Sequence, residues 1–200
     1  SFGLIVNSSA TGTPKLLLNN PLNINGTGNK GIILQKDLDY SQSVFKYKLD
    51  GTNGLGLYAN YVPSTARNIT GYDISTGANA NGGTLVRVDG GKFVFDNTGT
   101  ISMAGTNNYG FIVSGVNSDV SVDKDIASIG DGNVVLYTEN NSSLKYAGTI
   151  TTNGIGSHGA VVGSGGKLEN YSGKAASVET AGDSSVALYN KGTLNFLNGG

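Results

Sequence analysis

The chain has no cysteine, which excludes disulfide staples and thiol chemistry and suits a protein that crosses an oxidising periplasm before folding outside. Histidine occurs once, at His158, and the only arginines are Arg67 and Arg87. Charged residues make up 14%, the formal net charge is -1, and lysines and arginines nowhere form a run. Nothing is therefore available to neutralise phosphates or to hold an anionic membrane, and no nucleic acid is expected as a partner. No apolar stretch approaches the roughly 18 residues of a membrane span, so the chain is not expected to be membrane-embedded. With neither an initiating Met nor a signal peptide at Ser1, it reads as an internal segment of something longer.

Glycine is what the sequence has in excess, at 32 of 200 residues, against three prolines. Hydrophobic residues at 38% still suffice for a core, and no break in composition divides the chain. One continuous unit over 1–200 follows.

Short apolar runs recur along that unit. Those starting at Gly3, Gly31, Gly54, Gly83, Gly110, Asn133, Gly159 and Ser185 are 23 to 29 residues apart, a spacing typical of solenoids. The fourth position is always Val or Leu: Val6, Leu34, Leu57, Val86, Val113, Leu136, Val162 and Leu188. The residue after it is polar, glycine or tyrosine, so neighbours face opposite ways. These eight aliphatics are expected to lie buried in one vertical ladder. A second alternating run follows in most units, as Phe93-Val94-Phe95, Val120-Ser121-Val122 and, earlier, Phe45 to Leu49. A third element ends in glycine four residues after an aliphatic, as Ile101 to Gly105, Ile126 to Gly130 and Ile150 to Gly154.

No window has the apolar spacing of a helix, and glycine recurs too often for one to persist. The pattern predicts an all-β fold: a right-handed parallel β-helix, a β-solenoid of about eight coils with three short strands each. One coil alone cannot bury enough apolar surface to offset its ordering entropy, so the coils must stack. Glycines at the corners are expected to supply positive φ, with asparagines such as Asn97 and Asn198 in the same role. The period loosens over 35–81, where 35–43, 61–68 and 75–81 read as insertions forming loops on the wall. Residues 83–200 read as regular coils.

The unit Ala147-Gly148-Thr149-Ile150 through Asn153-Gly154-Ile155-Gly156-Ser157-His158-Gly159 carries the pattern G-x-I followed by G-x-x-S-x-G. It returns as Gly99-Thr100-Ile101 running to Gly105 and Gly110, and in degenerate form at Ala176-Ser177-Val178. This pattern resembles the passenger domains of large type V autotransporter adhesins of bacteria, above all the very long fusobacterial outer-membrane autotransporters. The resemblance covers most of 83–200. It implies a passenger displayed at the bacterial cell surface, or released outside it, through an outer-membrane barrel that this chain lacks. It also implies attachment to other cells through host-cell or bacterial surface proteins or glycans, by a passenger that is monomeric within its parent.

Residues able to carry chemistry are sparse. Ser157-His158 sits in a glycine-rich turn with no third group to orient the imidazole and is read as an exposed corner. Asp119, Asp123 and Asp125 flank a strand instead of sharing one cation loop. Gly163-Ser164-Gly165-Gly166-Lys167 has the composition of a phosphate loop but no following helix. No catalytic residue, cofactor or metal is expected. If the segment binds anything, the loosened stretch favours Tyr40, Tyr58, Tyr61, Arg67, Tyr72 and Asp73, because tyrosine offers a flat apolar face with a hydroxyl at its edge. The leading expectation is a stalk or adhesive segment. A polysaccharide-degrading enzyme on a similar β-helix, or a fibre like a phage tail spike, are the alternatives.

Overall fold

The computed structural model describes residues 2–196 except 10 and 19. Eight coils follow one another along the chain. The first holds β1 (Phe2–Val6) and β2 (Leu22–Ile24), and the second β3 (Lys30–Leu34), a single 3-10 turn (Tyr40–Gln42) and β4 (Lys46–Leu49). Then come β5 (Leu55–Ala59), β6 (Arg67–Ile69) and β7 (Asp73–Thr76), followed by β8 (Thr84–Val88), β9 (Lys92–Phe95) and β10 (Thr100–Met103). The fifth coil has β11 (Tyr109–Ser114), β12 (Asp119–Asp123) and β13 (Ile126–Ser128), and the sixth β14 (Val134–Glu139) and the long β15 (Ser143–Thr152). The last two have β16 (His158–Val162), β17 (Lys167–Asn170) and β18 (Ala176–Thr180), then β19 (Val186–Asn190) and β20 (Thr193–Asn195).

Every strand pair is parallel, and equivalent strands of successive coils build three walls of a β-solenoid. The first wall runs β1-β3-β5-β8-β11-β14-β16-β19. The second contains β6, β9, β12, the first half of β15, β17 and β20. The third contains β2, β4, β7, β10, β13, the second half of β15 and β18. β15 turns the corner between two walls without a break, bending at Gly148 with φ 114°.

The eight aliphatics expected in one ladder point inward, and all but the half-buried Leu188 are buried. They belong, however, to two ladders. One contains Leu4, Ile32, Leu57, Val86, Phe111, Leu136, Ala160 and Leu188. The other, two residues on, contains Val6, Leu34, Ala59, Val88, Val113, Thr138, Val162 and Asn190. A shift of two residues preserves facing in a strand, so the alternating pattern alone cannot separate the two columns. Likewise Phe45–Leu49 belongs to the third wall, where Tyr47 pairs with Ile74, and not to the second.

The glycines at the corner after the third wall answer to close approach more than to φ. A Cβ on Gly130 would lie 1.8 Å from the Gly105 carbonyl oxygen, and one on Gly154 or Gly182 would lie 1.9 Å from the carbonyl of the coil before. None of these three is left-handed, and neither is Asn97. The left-handed asparagines are Asn53, Asn107, Asn117, Asn140 and Asn141, whereas Asn198 lies outside the described residues. Beside the glycine stack runs a buried polar ladder. Gly83 N–H donates to Asn108 Oδ1 (2.8 Å), Asn108 N–H to Asn133 Oδ1 (2.8 Å), Asn133 N–H to Ser157 Oγ (3.2 Å) and Ser157 N–H to Ser185 Oγ (3.1 Å). Each side chain thus satisfies a backbone donor that the turn would otherwise bury unpaired.

Irregularity is narrower than the 35–81 span. Four of its segments are paired strands, β4 to β7, and Ser75 and Thr76 belong to β7 instead of to an insertion. The irregular connections are 35–45 and 60–66. Among the described residues no helix is long and apolar enough to cross a membrane.

Candidate functional site

The two irregular connections come together on the second wall. In the second coil this wall has no strand among the described residues, and Leu38 and Tyr40 turn inward in its place, both buried. The Tyr40 ring stacks on Phe45 (centroids 6.2 Å apart) and meets Phe93 (6.1 Å), while Tyr61 lies edge-on to Phe93 (6.0 Å). Phe93 from the regular coil above therefore seats both loops. The first coil braces them from below. Asp39 N–H donates to the Pro14 carbonyl (2.8 Å), Lys15 Nζ to Gln42 Oε1 (2.6 Å), and Leu17 bridges to Val44.

With their rings fixed, the hydroxyls of Tyr40 and Tyr61 meet at the rim and hydrogen-bond each other. Tyr61 also donates to Asp37 Oδ1 (3.3 Å), and Arg67 holds the same carboxylate in a fork, Nε to Oδ1 at 3.0 Å and Nη2 to Oδ2. Burial, then the neighbouring tyrosine and Asp37, holds the Tyr40 hydroxyl protonated well above the usual range; burial does the same for Tyr61. The hydrogen bond from Arg67 to Asp37 raises the guanidinium further. Against this network opens a cleft of about 680 Å³, lined among others by Asp39, Ser41, Asn68 and Thr70. Its walls offer carboxylate, hydroxyl, amide and guanidinium groups, a set suited to a ligand rich in hydroxyls.

Of the six residues singled out from the sequence, Tyr40, Tyr61 and Arg67 are brought together here. The other three are not. Tyr72 is a core residue: it is buried, lies edge-on to Phe95 (5.4 Å), and donates its hydroxyl to the Asp96 carbonyl (2.6 Å). Gly99 leaves room for its ring, since a Cβ there would lie 2.4 Å from it. Tyr58 faces outward on the first wall, and Asp73 is exposed on the third, accepting a hydrogen bond from Thr100 Oγ1 (2.7 Å). The hub of the cluster, Asp37, was not singled out; the signal was the pair Asp37 and Asp39 flanking one leucine inside an insertion.

The remaining chemistry-bearing residues are separately engaged. Ser157 is buried, with Oγ donating to the Gly130 carbonyl (2.7 Å). His158 begins β16 and faces outward, its Nδ1 accepting from Val186 N–H (3.2 Å), so neither residue occupies an exposed corner and the two do not meet. Asp119 pairs with Lys145 (2.8 Å), Asp123 with Lys174, and Asp125 accepts from Thr149 N–H (2.7 Å). No cluster of three metal-ligating side chains occurs among the described residues.

The described residues form a parallel β-solenoid bearing a loop-built cleft. Comparison with family models, with curated proteins and with solved structures returns no match.

Proposed function

We propose that this chain is a stalk or adhesive segment of a surface-displayed bacterial autotransporter passenger, mediating attachment to other cells. The observation that carries the reading is the uninterrupted stack of eight coils with its irregular loops gathered on one wall. A stack of this kind, about 40 Å long at the usual strand spacing, fixes reach and stiffness through backbone pairing alone. The loops at 35–45 and 60–66 then ride on a rigid support, which is where recognition groups commonly sit. The G-x-I and G-x-x-S-x-G units support the passenger assignment, and the cleft beside Asp37 and Arg67 supplies the recognition element.

Attachment of cells displaying the parent protein tests this. Replacing Arg67 and Asn68 with alanine should reduce attachment to partner cells, whereas Lys145→Ala with Glu169→Ala on the same wall should not. Equal attachment by both variants, at equal surface display, removes the cleft from the account.

A further inference from the structure

We propose that the outer face of the first wall, over the last four coils, is a binding site for a neutral saccharide, separate from the cleft and independent of its role. The three walls differ on their outward positions. Over the last four coils the third wall's outward positions are Ala127, Thr149, Thr151, Ser177 and Glu179, all but the glutamate small and mostly hydroxylated. On the first wall they are aromatic and aliphatic: the outward ladder runs Tyr58, Arg87, Ile112, Tyr137, Val161, Tyr189, and the one beside it Thr84, Tyr109, Val134, His158, Val186. Tyr189 is 44% exposed and Val186 37%.

These residues do not make a flat patch. Tyr109, Val134, Tyr137, His158, Val161 and Tyr189 enclose a recess of about 310 Å³. The rings of Tyr109 and Tyr137 stand 6.2 Å apart at 89°, so a guest meets the face of one and the edge of the other. Val134 and Val161 supply aliphatic surface between them. Polar groups sit at the rim: Nδ1 of His158 accepts from Val186 N–H, which leaves the ring proton on Nε2 as a donor. Tyr137 donates to Glu139 Oε2 (2.8 Å), and that hydrogen bond pushes its hydroxyl up to about 12, so it stays protonated.

A pyranose ring presents one apolar C–H face and a rim of hydroxyls, and this recess has the same division. The neutral class follows from the lining, Tyr109, Val134, Tyr137, His158, Val161 and Tyr189, which includes no carboxylate, lysine or arginine to pair with a charged sugar. A protein partner would need a complementary surface of roughly 1,000 Å² or more, much larger than the recess.

Saturation-transfer NMR on the intact chain, with methyl β-galactoside, methyl β-glucoside and N-acetylglucosamine as neutral probes and sialyllactose as the charged one, tests the proposal. At least one neutral probe should receive transfer, and Tyr137→Ala and Tyr189→Ala should each weaken it about tenfold, the size of one lost stacking contact. Tyr58→Ala, on the same outward ladder but outside the recess, and Arg67→Ala, in the cleft, should leave it unchanged. Melting curves of each variant show that the fold is retained. Transfer to no neutral probe, transfer only to sialyllactose, or transfer that survives both recess variants would overturn it.

Discussion

Coils 4 to 7 and coils 1 to 3 share the same first and third walls, yet they treat the second wall differently. In the regular coils it is strand throughout, with Phe93, Val120, Leu144 and Leu168 in one inward column. In the second coil Leu38 and Tyr40 fill the same space from a 3-10 turn, and β6 in the third coil is only three residues long. Two continuous walls are enough to hold register, which frees the remaining one to carry loops. Packing in such a loop is still strict, because the Tyr40 and Tyr61 rings must meet Phe93 while the Tyr40 hydroxyl meets that of Tyr61 and Tyr61 reaches Asp37.

The largest effect expected from breaking the regular coils is at Val113, fully buried between Val88 and Thr138. Val113→Asp buries a carboxylate with no partner, at a cost of several kcal/mol, and a solenoid passes the damage to adjacent coils. Circular dichroism should show loss of the cooperative melt; an unchanged melting temperature would contradict an interior position.

Alkali should act on both regions through their buried tyrosines. Burial raises the folded-state values of Tyr40, Tyr72 and Tyr146 above the ordinary 10.0. A group whose folded value is raised contributes stability that is complete below its unfolded value and is lost as pH climbs toward the folded one. Stability should therefore hold up to about pH 10 and fall above it. Phenolate absorbance from these rings should appear together with loss of the β-sheet signal, not ahead of it.

A pair of glycines separates close approach from backbone strain. Gly130→Ala places a methyl against the Gly105 carbonyl and should cost about 1–3 kcal/mol. Gly156→Ala meets no atom within 4 Å but keeps a φ of 64°, and should cost about 1 kcal/mol. Urea melts rank the two; the reverse order would mean that φ, and not stacking, selects the corner glycines.

The smallest change in stability is expected in the cleft. Arg67 and Asp37 have side chains 30% and 31% exposed, so removing Arg67 should cost at most about 1 kcal/mol while loosening both loops. Faster amide exchange confined to 35–45 and 60–66 in Arg67→Ala is the outcome that fits. Exchange spreading into β9 or β12 would make the pair a structural strut of the whole stack.

Much of this was legible in the sequence because glycine, aliphatic and outward residues recur at nearly constant spacing. The number of coils, the three strands and the third-wall column from Ile101 through Ile126 and Ile150 to Val178 follow from that recurrence alone, whereas Ile74, next to a stretch that reads as an insertion, does not. The first-wall columns did not separate, since Gly54, Gly83, Asn133 and Ser185 mark the corner whereas Gly3, Gly31, Gly110 and Gly159 lie two residues further, inside the strand. Both positions favour glycine, one for the turn and one to admit third-wall side chains such as Ile24 beside Gly31 and Val178 beside Gly159. Tyr72 was misplaced for a related reason: tyrosine suits a wet rim and also a core where a backbone carbonyl accepts its hydroxyl, as Tyr47 and Tyr146 do with Leu85 and Lys124. The cleft's hub at Asp37 depends on contacts 24 and 30 residues away, which no local pattern encodes.

The central claim is the in-register parallel stack, and the absence of cysteine makes it directly measurable with paired spin labels. Ile5 and Tyr189 are both 44% exposed on one outward ladder seven coil steps apart, and Tyr58 lies on the same ladder five steps from Tyr189. At about 4.8 Å per step, Ile5→Cys with Tyr189→Cys should give a distance of roughly 34 Å, and Tyr58→Cys with Tyr189→Cys roughly 24 Å. The difference of about 10 Å is independent of the label's own length. Distances that fail to grow with the number of coils between the labels would contradict the stack and everything built on it.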